Sequence, residues 1–96
     1  MFKAGRIQPL IFSDKRNEMQ ILYELLQIAE KEPINKTRLM YKTNLIYTHF
    51  IKYLDYMVEN EFLIETQGNP VGTKYFVGEK GKKYLDSFKN VLDFFD

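Results

Sequence analysis

A cluster of turn-forming residues at positions 67–72, QGNPVG, most constrains how this chain can fold. Two glycines, an asparagine and a proline within six residues favour a reversal of the backbone. The flanking segments 62–66 (FLIET) and 73–77 (TKYFV) are rich in β-branched and aromatic residues, which is typical of strands. The sequence therefore predicts a β-hairpin of two short strands late in the chain.

The residues before this hairpin follow helical spacing. A first helix is expected from a cap at Ser13 or Asp14 to about Lys31, because Pro33 disfavours helix at the residue before it. Apolar residues recur along this segment every three or four positions, as an amphipathic helix requires. They are Met19, Ile21, Leu22, Leu25, Leu26, Ile28 and Ala29.

Three further helices are expected. The second covers about 36–42 and is capped by Asn35, while Asn44 suits the left-handed conformation that commonly ends a helix. The third covers about 46–60, and the last covers about 79–95. The residues expected on the inner side of the third helix are Ile46, Phe50, Tyr53, Leu54 and Met57.

The predicted order is helix, helix, helix, strand, loop, strand, helix. This order is typical of a mainly α (α+β) fold, the winged helix-turn-helix, in which the hairpin loop projects beside the third helix. A length of 96 residues suits one such domain with an appendage. We expect an N-terminal arm at 1–13, the winged helix-turn-helix at 14–78 and a C-terminal dimerisation helix at 79–96.

Positive charge is concentrated where the second and third helices meet. The stretch 35–54 contains four cations and no acidic residue, whereas the whole chain has a net charge of only +1. A molecule with one positive face is suited to a polyanion such as DNA. The cations are Lys36, Arg38, Lys42 and Lys52.

The outward side of the third helix is the predicted reading surface. A recognition helix contacts base edges with its N-terminal residues. Tyr47, Thr48 and His49 are therefore expected at bases or phosphates, and Lys52 at a phosphate, although each is equally consistent with an ordinary solvated residue. The second helix would contact the DNA backbone. The predicted DNA-contacting residues are Lys36, Arg38, Lys42, Asn44, Tyr47, Thr48, His49, Lys52, Asn69 and Lys74.

The hairpin loop would be the wing of the fold. Lys74 at its base is its only cation, and the tip around Asn69 is polar but uncharged. Wings that enter the minor groove usually present arginine or lysine. A plain hairpin turn without DNA contact therefore remains an open alternative.

Residues along the last helix form an a/d seam over two heptads. Exposure of so much apolar surface would favour aggregation, which suggests that a partner subunit covers it. The alternative is a helix that packs on its own domain. The N-terminal segment 7–12 could be a strand, a disordered tail or a basic arm that touches DNA. The seam residues predicted at the dimer interface are Leu85, Phe88, Leu92 and Phe95.

Other functional classes receive little support. The chain has no cysteine and a single histidine, His49, so no metal site is expected and neither disulfides nor thiolate ligands are available. Ser13 and Ser87 lie in no nucleophile motif, and no Gly-rich phosphate loop is present, so no enzyme activity is expected. We expect no cofactor and no small-molecule effector. No membrane partner is expected either, because no apolar run approaches the roughly 18 residues of a bilayer span. The expected location is the cytoplasm, in association with the nucleoid.

Two blocks of sequence resemble a known family. Residues 36–63, KTRLMYKTNLIYTHFIKYLDYMVENEFL, are similar to the archaeal winged-helix proteins whose core reads K-T-R-I-M-Y-K-A-N-L-S-Y followed by K-Y-L-D. Residues 78–85, GEKGKKYL, resemble the segment T-E-K-G of that family, where its last helix begins. The resemblance covers about 18–88. It implies DNA binding through 47–52 and a homodimer whose C-terminal helices pair as an antiparallel coiled coil.

The chain departs from this family at the N-caps of the third and the last predicted helix. Ile46 replaces a small polar residue, which removes a capping oxygen worth about 1 kcal/mol, and Gly78 replaces a threonine. The last helix is also shorter than in members with long coiled coils. The leading hypothesis is a homodimeric DNA-binding protein, either a transcriptional regulator or a chromatin-architectural factor. The alternative is a winged helix that serves as a protein–protein interaction module without DNA binding.

Overall fold

The computed structural model describes residues 16–66 and 72–95. The predicted mainly helical α+β fold and its winged helix arrangement are confirmed. The predicted arm at 1–13 and the wing tip with Asn69 lie outside the described residues. In chain order the elements are α1 (Glu18–Lys31), β1 (Ile34–Asn35), α2 (Lys36–Thr43), α3 (Tyr47–Glu59), β2 (Leu63–Glu65), β3 (Lys74–Val77) and α4 (Glu79–Asp93).

The first helix begins later than predicted. A cap at Ser13 or Asp14 was the wrong expectation, because Asn17 is the N-cap and α1 begins at Glu18. The Asn17 side chain accepts a hydrogen bond from the backbone N–H of Gln20 at 2.9 Å. In return, the Gln20 side chain accepts from the Asn17 N–H at 2.8 Å. This reciprocal capping box satisfies two backbone donors at once, so it fixes the start of the helix.

The sheet contains one more strand than the sequence predicts. β1 pairs with β3, with Ile34 opposite Tyr75 and Asn35 opposite Lys74, and β2 pairs with the other edge of β3. Both pairings are antiparallel, and the strand order is β1-β3-β2. A strand of two residues has no alternating pattern to detect. Asn35 also caps α2, since its side chain accepts from the Arg38 N–H at 2.9 Å.

One core lies between the helices and the sheet. Phe50, Leu54 and Met57 are buried as predicted for the inner side of α3. Ile46 is 63% exposed, contrary to prediction, because it is the extended N-cap residue rather than part of the helical stripe. Met19 is 56% exposed near the start of α1, which also contradicts the predicted pattern. The largest fully buried side chains are Phe50, Leu25, Leu26, Leu39, Met57 and Leu63.

The first half of α4 packs against its own protomer. Leu85 and Phe88 are only 7% and 9% exposed, so little of their surface remains for a partner. The Phe88 ring lies 4.5 Å from the Tyr23 ring of α1, centroid to centroid. The Tyr84 hydroxyl donates to the Met19 carbonyl oxygen at 2.7 Å. The predicted seam is therefore partly used within the chain, because α1 covers its N-terminal members. Apolar exposure on α4 begins only at Val91, which is 49% exposed.

Candidate nucleic-acid interface

The turn between α2 and α3 is held in place by backbone and side-chain bonds. Asn44 adopts the predicted left-handed conformation, with φ of 57°, and its N–H donates to the carbonyl oxygen of Met40 at 3.0 Å. The Thr43 hydroxyl donates to the Leu39 carbonyl oxygen at 3.0 Å. Arg16 donates to the Thr43 carbonyl oxygen at 3.2 Å and forms an ion pair with Glu24. Arg16 thus ties the end of α2 to α1, which fixes the angle at which α3 begins.

The four predicted cations of α2 and α3 are all exposed. Within residues 16–66 and 72–95, none of them forms an ion pair with a carboxylate. Arg38 and Lys42 are four residues apart and share one face of α2, whereas Lys36 lies on the other side at the first turn. On α3, Lys52 follows Thr48 by one helical turn. The unpaired charges leave this side of the molecule free to attract phosphates.

The start of α3 is a second source of positive potential. Ile46 provides no side-chain cap, and its carbonyl oxygen accepts from His49 N–H at 3.1 Å and Phe50 N–H at 2.9 Å. The backbone N–H groups of Tyr47 and Thr48, in the first turn, have no acceptor within the helix. Donors at a helix N-terminus favour an anion such as phosphate. The absence of a side-chain cap makes the isolated helix less stable, but it leaves these backbone N–H groups available to a ligand.

Charge along α3 changes sign after its second turn. Tyr47, Thr48, His49 and Lys52 are exposed in the first half, as predicted, while Asp55 and Glu59 are exposed in the second. A polyanion is attracted to the first half and repelled by the second. The first half of α3 is therefore the more favourable part of this helix for a polyanion.

The base of the wing lies beside the start of α2. Lys74 on β3 is directly opposite Asn35, which precedes Lys36 in the chain. The two sides of the hairpin are joined by Thr66, whose N–H donates to the Lys74 carbonyl oxygen at 2.8 Å. The Lys74 N–H donates in turn to the Thr66 hydroxyl at 2.9 Å. Two predicted cations from distant parts of the sequence, Lys36 and Lys74, are thereby brought close together.

Comparison with known proteins identifies the family to which this architecture belongs. The family model described as winged helix-turn-helix matches residues 15–95. The chain belongs to this family. Among solved structures, it is similar to Sso10a-2, a DNA-binding protein from Sulfolobus solfataricus, with a TM-score of 0.69 and 25% sequence identity. That similarity covers 82% of this chain and 81% of the Sso10a-2 chain.

Two archaeal proteins from Methanocaldococcus jannaschii are similar to this chain in sequence. The uncharacterized protein MJ0290 is 32% identical over 80 residues, which are 83% of this chain and 36% of MJ0290. The uncharacterized protein MJ0287 is 30% identical over 79 residues, which are 82% of this chain and 76% of MJ0287. This winged helix-turn-helix chain thus spans about a third of the length of MJ0290.

One exposed residue of α2 was missed by the sequence reasoning. Tyr41 is 83% exposed on the helix face that it shares with Arg38, next to Lys42. A tyrosine hydroxyl can donate to a phosphate oxygen, and its ring can lie against a sugar or base. The signal was present in the spacing, because Leu39 and Thr43 face inward and leave Tyr41 pointing away from the core. Tyr41 therefore joins the candidate interface of this winged helix-turn-helix protein.

Two features are absent from the described residues. Among residues 16–66 and 72–95, no group of three histidine, cysteine or acidic side chains is arranged to hold a metal ion. In the same part of the chain, no helix has both the length and the apolar content needed to cross a membrane.

Proposed function

We propose that this winged helix-turn-helix protein binds duplex DNA through α2 and the N-terminal half of α3. The observation that carries the proposal is the set of exposed cations Arg38, Lys42 and Lys52 beside the uncapped start of α3, which form no ion pair within the described part of the chain. The structural similarity to Sso10a-2, a DNA-binding protein, supports the same function.

The division of labour follows from the chemistry of each side chain. Arginine and lysine on α2 meet phosphates, which fix the position of the protein but carry no sequence information directly. The exposed side chains at the start of α3 meet base edges in the major groove. Lys74 and the wing add contacts beside α2. The residues proposed at base edges are Tyr47, Thr48 and His49.

The protein is further proposed to act as a homodimer that regulates transcription or organises chromatin. The end of α4 and the two residues after it support a dimer, because Val91, Phe94 and Phe95 are 49%, 84% and 42% exposed. Burial of a phenylalanine side chain stabilises an assembly by about 1.5–3 kcal/mol. The proposed interface uses Leu92 and Phe95 with Phe94, while Leu85 and Phe88 support the helix from inside the protomer. The proposed domain limits are 14–78 and 79–96.

The salt dependence of binding to a random-sequence duplex tests the proposal. The wild-type chain is compared with the triple variant Arg38→Gln/Lys42→Gln/Lys52→Gln. Loss of three phosphate contacts reduces the slope of log K against log salt by about 3, since each contact contributes about 0.9. The matched control neutralises three exposed cations of α4, Lys82, Lys83 and Lys89.

The control variant is expected to retain the wild-type slope. The proposal fails if the control loses as much affinity as the triple variant. Absence of wild-type binding even at low salt would instead favour the alternative function, a protein–protein interaction module.

Sedimentation at micromolar concentration tests the dimer. The wild-type chain is expected at twice the mass of one protomer, and Leu92→Asp at the mass of one protomer. Asn90→Asp is the matched control, because it adds the same charge at an exposed position of the same helix and should leave the dimer intact. A monomeric wild-type chain would contradict the proposed assembly.

A further inference from the structure

A groove of about 1000 Å³ lies between the start of α1 and the surface formed by α3 and the turn before it. Its α1 side includes Met19 and Leu22, and its opposite side includes Ile46, Tyr53 and Tyr56. Three elements thus contribute large apolar side chains to one concave surface. A surface of this kind usually binds another apolar segment.

Three of these side chains are exposed although they are apolar or aromatic. Met19 is 56% exposed, Ile46 is 63% exposed and Tyr56 is 49% exposed. Met19 lies at the spacing of buried positions, and Ile46, as the N-cap of α3, adds a large apolar side chain to the groove lining. These side chains are available for contact with a further apolar segment.

We propose that this groove binds residues 7–12 of the same chain, IQPLIF. This segment contains four large apolar residues and a proline, which favours an extended backbone. Three residues separate its end at Phe12 from Arg16, which itself lines the groove. A three-residue connection spans up to about 10 Å, so Phe12 and Leu10 can reach the apolar side chains.

Binding within one chain has an advantage over other occupants. A short connection gives the segment an effective concentration in the millimolar range, without the entropy cost of bringing two molecules together. Arg16, His49 and Lys52 also line the groove, but Met19 and Ile46 offer no polar group to a phosphate, so DNA is a poor occupant of its apolar part. A second copy of the chain would have to compete with this covalently connected segment.

The docked segment lies next to the proposed DNA-binding surface. His49 and Lys52 also line the groove, so the apolar segment borders the face of α3 proposed to meet DNA. Docking itself does not depend on DNA binding. Its test therefore uses the protein without DNA, and failure of one proposal leaves the other intact.

Paramagnetic labelling measures the docking directly. The chain has no cysteine, so Gln8→Cys in the full-length protein creates a single site for a spin label. In a ¹⁵N-labelled sample, the amide signals of Ile46 and Tyr56, which are distant in sequence, are expected to lose most of their intensity. The same label in the additional variant Leu10→Ser/Phe12→Ser should leave those signals intact, because the apolar anchors are gone.

Two results would overturn the proposal. One is signal loss restricted to the start of α1, which follows the label in sequence. The other is loss of the Ile46 amide signal in a mixture of ¹⁴N chain that carries the spin label and ¹⁵N chain that does not. That loss would identify a second copy as the occupant. The wild-type arrangement predicts no loss at Ile46 in the mixture.

Discussion

Substitution of Gly81 by alanine sets two physical effects against each other inside α4. Gly81 is buried in the third position of the helix. Alanine has the higher helix propensity, by about 1 kcal/mol, so an isolated helix would gain stability. In the folded protein, however, an added Cβ would lie 2.3 Å from the carbonyl oxygen of Phe62 and 2.9 Å from Cγ1 of Val77.

The contact with the Phe62 backbone decides whether Gly81→Ala stabilises or destabilises the protein. Ordinary contact begins at 3.4 Å, so α4 would have to move by about 1 Å from Phe62. Overpacking of this kind costs about 1–3 kcal/mol. The Phe62 carbonyl oxygen also accepts from the Gly78 N–H at 2.9 Å, and loss of that bond costs about 0.5–1.5 kcal/mol. After subtraction of the propensity gain, the expected net loss is about 2 kcal/mol.

Thermal unfolding followed by circular dichroism measures this loss. A domain of this size loses about 4–8 °C in Tm per kcal/mol, so Gly81→Ala should lower Tm by about 8–16 °C. Asn90→Ala is the control, because it raises helix propensity at an exposed position of the same helix and should leave Tm equal or slightly higher. A Tm for Gly81→Ala at or above the wild-type value would refute the packing argument.

Two further predictions concern the first helix and the sheet. Asn17→Ala removes the capping box and should lower the free energy of unfolding by about 1 kcal/mol, or Tm by about 4–8 °C. Asn17→Ser keeps a capping oxygen and should retain most of the stability. Equal unfolding curves for the wild-type protein and both variants would contradict the capping role of Asn17. Burial, with a hydrogen bond to Glu65, raises the pKa of Tyr75 to about 12 from a usual value of 10.0. The folded state therefore holds this proton more tightly than the unfolded state, so its contribution to stability is complete below pH 10 and lost as pH rises towards about 12. Urea unfolding should show this decline, and Tyr75→Phe should make it shallower, whereas an unchanged decline would exclude Tyr75 as a source.

The order of helices and the hairpin could be predicted because each depends on local pattern. Phe50, Leu54 and Met57 repeat at helical spacing, and they are buried together. The same spacing misplaced Ile46, since periodicity does not show that a residue precedes the helix as its cap. The strand β1 could not be predicted, because its two residues owe their conformation to pairing with β3, about 40 residues later in the chain.

The candidate site was predicted in its charges but not in its arrangement. The exposed cations of α2 and α3 follow from composition and helical phase. The proximity of Lys74 to the start of α2 depends on the register of β1 against β3, which is a long-range property. The packing of α4 could be predicted only in part. The sequence shows that Leu85 and Phe88 are apolar, but it does not show that Tyr23 of α1 covers Phe88.

The central claim is that α2 and the first half of α3 form the surface that meets DNA. Titration of the ¹⁵N-labelled protein with a short random-sequence duplex at low salt tests it most directly, because each backbone amide reports its own environment. We expect the largest chemical-shift changes between Lys36 and Lys52, and little change in α4 from Lys82 to Phe88. Changes concentrated on α4, or the absence of any change at low salt, would contradict the account.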